Sequence, residues 1–106
     1  MTDIWRSLIA QRIGWENGWS VLFHEATVYQ ERNEHNLMKD FADEVPGYLH
    51  TDTIQQILAA TPVKKGVEHI PDAMCLCYKN LVDAKIFDAR EIPVLESWLT
   101  DIKNIL

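Results

Sequence analysis

No stretch of this sequence approaches the roughly 20 consecutive apolar residues that a membrane-spanning helix needs. Its start also lacks the basic, apolar and small-residue series of a secretory leader. Glycine is sparse, at four residues, and none of the four builds a phosphate-cradling loop or a Gly-x-Ser-x-Gly elbow. There is no Asp-x-Asp pair, no His-x-x-x-His pair and no Cys-x-x-Cys, so the usual spacings of a helical or ribbon zinc site are missing. Positive charge is in the minority: 10 Lys and Arg against 16 Asp and Glu leave a net charge of −6. Lys64 and Lys65 form the only adjacent basic pair. A grip on nucleic-acid phosphates needs a basic patch, and this pair does not make one.

Only two cysteines occur, Cys75 and Cys77. Two positions apart on a helix, their side chains point in widely different directions, which disfavours an intrahelical disulfide or joint metal ligation. They fit core packing or a reducing compartment such as the cytoplasm. The cellular location itself stays open.

What is present suits one globular domain: 106 residues, 47% hydrophobic and 25% charged. Four tryptophans supply much aromatic area, and Trp5, Trp15 and Trp19 lie close together near the start. Thr2 or Asp3 caps a first helix that runs to about Asn17, with Gly18 as its stop. Ile4, Leu8 and Trp15 form one apolar edge of that helix, and Trp5, Ile9 and Ile13 the other. So wide an arc calls for neighbours on two sides. Arg12 projects from its middle, either to pair with Glu16 four residues on or to meet a buried carboxylate or anionic ligand.

Trp19 to Phe23 and Ala26 to Tyr29 are short, β-branched and aromatic, and they predict a pair of strands separated by His24-Glu25. A polar run from Gln30 to Asn36 follows without an apolar break. Asn33 is then the expected cap of a helix near Glu34 to Glu44, which Pro46-Gly47 ends. A brief helix carries Ile54, Ile57 and Leu58 up to Pro62. Another opens at Pro71-Asp72. The last begins with Asp88 and Glu91 at capping-box spacing, or at Glu91 itself because of Pro93.

Several groups of residues are candidates for chemistry. His24, Glu25, Glu31 and His35 offer N and O donors that suit several divalent metals, although such residues are ordinary in polar loops. Asp40 and Asp43 share a helix face, as a carboxylate pair or as its solvated side. Asp3 stands where a helix dipole favours an anion, as a cap or as a base aimed into a cleft.

Thr2-Asp3-Ile4-Trp5-Arg6, Thr27-Val28-Tyr29, Arg32-Asn33-Glu34-His35-Asn36 and Glu96-Ser97-Trp98-Leu99 resemble blocks of the C-terminal part of the STELLO-like glycosyltransferases. The resemblance covers most of the chain. It implies a transferase of the GT-A type, with a Rossmann-like sheet for a nucleotide sugar and a divalent metal such as Mn or Mg bridging the diphosphate. It also implies Asp3 as the catalytic base toward an acceptor hydroxyl. Arg32, Asn33, His35 and Asn36 become substrate-binding groups near the site, expected to converge with Asp3 on a common cleft. Where many such enzymes place a metal-binding histidine, this sequence has Tyr29, with His24 displaced from that place. The nucleotide-binding half and its Asp-x-Asp are missing.

The expected fold is therefore α+β and mainly α: a long N-terminal helix, a short β pair and a C-terminal helical bundle, belonging to a larger α/β glycosyltransferase. Residues 1–49 form the acceptor side and 50–106 a helical subdomain. The expected partners are a nucleotide sugar and its acceptor, with activity only in a longer protein. The alternatives are a non-catalytic interaction module that docks through the Trp5–Ile9–Ile13 face, and a metal-dependent hydrolase around His24 and His35.

Overall fold

A computed structural model describes residues 2–106. It contains four α-helices: α1 (Thr2–Glu16), α2 (Leu37–Ala60), α3 (Ile70–Asp83) and α4 (Glu91–Ile105), with a 3-10 turn at Val67–His69 before α3. The expected α+β class is wrong, because no strand forms among the described residues. The two strand-like stretches lie in one irregular segment whose residues from Trp19 to Tyr29 are all exposed. β-Propensity describes the fit of a side chain to a pleated, half-buried surface, and two short strands alone are marginal. The Trp19 amide donates to Gly14 O of α1, but no second strand is placed beside these residues for their backbones to pair with.

The expected break at Pro46-Gly47 is also absent, and α2 passes through both residues. Pro46 cannot donate to the carbonyl of Ala42, yet the turn after it is held by the Thr51 hydroxyl, which donates to Gly47 O. The cap is Asn36 instead of Asn33. Its side-chain oxygen accepts from the Met38 and Lys39 amides, each at 3.1 Å. At α4 the capping box is replaced by another arrangement. Asp88 accepts from the Arg90 amide and guanidinium, and Glu91 reaches across to Arg6 at 2.7 Å.

α3 is the hub, packed against α1, α2 and α4. Its Ala73, Cys77, Tyr78 and Leu81 are buried with Trp5, Ile9 and Ile13 of α1, Ile54 and Leu58 of α2, and Leu95 of α4. Removing a side chain such as Leu81 or Ile54 from water is worth about 1.5–3 kcal/mol. The Trp5–Ile9–Ile13 face is therefore core, which withdraws it as the docking face of an interaction module. Trp5 stacks on Phe87 with ring centroids 6.2 Å apart and meets the edge of His50 at 6.3 Å. Its buried indole N–H has no hydrogen-bond partner.

α1 and the C-terminal half of α2 run in the same direction: Trp5 meets His50, Arg12 meets Leu58 and Thr61, and Asn17 meets Gly66. Arg12 does more than either expectation allowed. It pairs with Glu16 at 3.1 Å and also donates to Leu58 O at 2.9 Å and Thr61 O at 3.2 Å. Those are terminal carbonyls of α2, where a cation complements the helix dipole. The N-terminal half of α2 projects past the start of α1, and Leu37, Met38, Phe41, Tyr48 and Leu49 there are exposed.

Candidate functional site

Asp3 lies in the first turn of α1 and is exposed. It precedes by two residues the tryptophan that meets His50, so it stands where α2 leaves the bundle. The polar run is placed elsewhere. It enters the far end of α2, and Leu37 lies roughly 20 Å from His50 at about 1.5 Å rise per residue. Arg32, Asn33, His35 and Asn36 are all exposed at that end. The chain thus presents two polar places, at the two ends of an uncovered half-helix.

At the far place, Asn36 has a structural task as the cap of α2. His35 Nδ1 stands 3.4 Å from an Asp40 carboxylate oxygen. Among the described residues, no three His, Cys, Asp or Glu side chains gather as a metal site. His24, Glu25, Glu31 and His35 are therefore not assembled into one, and the metal-dependent hydrolase loses its basis. Among the described residues, this chain by itself does not gather the donors to hold a divalent cation.

The sequence pattern did not reveal a groove of about 460 Å³ between α1 and α4. Ile9, Ala10 and Ile13 form one wall, Val94, Leu95 and Trp98 the other, and Ile70 and Met74 the floor. At one end lies the Arg6–Glu91 ion pair, whose hydrogen bond raises the Arg6 pKa. At the other stand the half-exposed rings of Trp19 and Trp98. The groove arises because α4 packs on α3 and not on α1, which periodicity along one helix cannot reveal. None of the five site residues expected from the sequence lines it.

Burial raises the Cys77 pKa to about 11 and raises that of Cys75 as well, so both stay neutral thiols near pH 7. On an exposed turn, the hydrogen bonds from Arg90 lower the Asp88 pKa.

The described residues form a small all-helical body with no sheet and with an exposed acidic side chain in the first turn of α1. The sequence pattern of the STELLO glycosyltransferases matches residues 1–106. The chain belongs to that family. No match to it was found among curated proteins or solved structures.

Proposed function

We propose that this chain is the acceptor-side, C-terminal part of a glycosyltransferase that takes its sugar from a nucleotide-sugar donor. On this reading it does not turn over by itself. The observation that carries the proposal is Asp3, exposed in the first turn of α1 at the point where α2 leaves the bundle. A carboxylate there accepts the proton of an acceptor hydroxyl as that oxygen attacks the anomeric carbon and the nucleoside diphosphate leaves. Arg32, Asn33 and His35, at the far end of the uncovered half-helix, make polar contacts with a more remote part of the substrate, while Asn36 holds the helix start that presents them. Family membership supports the sugar-transfer chemistry, and the residue roles are the proposal's own.

The test is Asp3→Asn in an active transferase that contains this chain. Loss of a general base lowers kcat about 10²- to 10⁴-fold with KM little changed. Turnover at the unsubstituted rate would remove Asp3 from the chemistry. A second reading, a non-catalytic interaction module, is favoured by the exposed apolar residues of α2. It predicts that Asp3→Asn and Arg32→Ala both leave turnover intact.

A further inference from the structure

α2 carries two apolar faces, and only one of them is used by this fold. Its buried residues, Gly47, Ile54 and Leu58, face the bundle. Leu37, Phe41, Val45 and Tyr48, with Met38 and Leu49 beside them, occupy an arc of roughly 120° when placed at about 100° per residue. The centre of that arc lies roughly 150° round the axis from the bundle face on the same spacing. The chain's own helices therefore cannot cover it by closing more tightly. Leu37, Met38, Phe41, Tyr48 and Leu49 are 56–78% exposed. Together they show on the order of 700 Å² of side chain, taking roughly 200 Å² for each. That is close to the roughly 800 Å² that one partner buries in a stable interface, and above the few hundred Å² normal for a monomer's apolar patch.

The charges around this arc have one dominant sign. On this half-helix Asp40, Asp43 and Glu44 stand against Lys39, Asp52 follows one turn beyond, and the segment leading into the helix carries Glu25, Glu31 and Glu34 against Arg32. Two copies packed through this face would bring like charges together, which disfavours a dimer.

We propose that the N-terminal half of α2 is a docking helix for a protein partner whose contact face is an apolar helix stripe flanked by Lys and Arg. Leu37, Phe41 and Tyr48 are the anchors, in the manner of one amphipathic helix zipped against another. Glu44 and Asp52 select the partner by charge. The surface does not depend on Asp3 acting as a base. Failure to dock alongside an intact Asp3→Asn effect, or the reverse, tells the two proposals apart.

The experiment uses the 106-residue chain and two synthetic amphipathic helices that share one Leu/Phe stripe, one flanked by Lys and the other by Glu. The Lys-flanked helix is expected to shift the amide resonances of residues 37–49. It should bind at least tenfold more tightly than the Glu-flanked one and weaken as NaCl is raised, because exposed charge pairs are screened. Phe41→Asp combined with Leu49→Asp should reduce its binding at least tenfold while leaving the thermal midpoint unchanged, since neither side chain is part of the core. Equal binding of both helices would overturn the proposal, as would resonance shifts confined to the α1/α4 groove. A chain that sediments as a dimer, and that the double substitution returns to monomer, would also overturn it, by naming a second copy as the occupant.

Discussion

At the scale of single residues, Arg12 shows how much one side chain can join. Its guanidinium satisfies two terminal carbonyls of α2 and the Glu16 carboxylate at once. Arg12→Met keeps most of the stem but removes the donor to Thr61 O and leaves Leu58 O with the Thr61 amide alone. Urea unfolding should show a loss of about 1–3 kcal/mol. Cys77 predicts a dependence on pH. Its folded pKa of about 11 lies above the ordinary value of 9.0, so the native state holds a proton that the unfolded chain releases between them. Stability is then constant below about pH 9 and falls as pH rises toward 11, by at most about 2 to 3 kcal/mol on linkage grounds. Unfolding at pH 8 and pH 10 should show that slope in the native protein and a smaller one in Cys77→Ala. The pairing of Arg12 with Glu16 was readable from their four-residue spacing. The two carbonyls were not, because they come from residues 46 and 49 positions away in the chain.

At the scale of elements, α2 decides most of what is unusual here. The Pro46-Gly47 pair reads as a stop because proline lacks a donor and its ring crowds the preceding turn. The helix continues because Asn36 anchors its start and the bundle anchors its end. The interruption at Pro46 therefore lies between two fixed points. Pro46→Ala should restore the missing bond and slow amide hydrogen exchange across residues 37–46, where the uncovered helix has little packing to protect it. Unchanged exchange there would show that the proline does not limit this half of the helix. The strands fail to form for a different reason. Residues 19–29 have the composition of a sheet, and what they lack is a neighbour. Their side chains settle nothing about backbone pairing until a second strand is supplied.

At the scale of the whole molecule, α3 makes the domain one unit: among the described residues α4 packs on α3 and is tied to α1 by the Arg6–Glu91 pair. Leu81 is fully buried at that hub. Leu81→Ala should cost about 2–5 kcal/mol, a large part of the stability of a domain this small. Thermal unfolding should then lose α1 and α4 signals together, at a lower midpoint. A midpoint within the error of the unsubstituted protein would mean that the core is not centred on α3. The helices of the second half were legible because each carries its own 3.6-residue stripe. The groove between α1 and α4 was not, because it is a space left between elements far apart in the chain.

By itself, the sequence determined where helices form, as five segments of which the structure joins two into α2, the apolar faces of α1, α3 and α4, and the resemblance in which Asp3 and the Arg32–Asn36 block stand out. These are local properties, set by spacing, caps and residue chemistry within a few turns. Only the tertiary structure decided that the strand-like segment stays unpaired, that Pro46 lies inside a continuous helix, and that Asp3 and the polar block stand at opposite ends of a half-helix. Each of those outcomes depends on which neighbour reaches which face. Contact between distant parts of a chain settles that, and no pattern along the chain contains it.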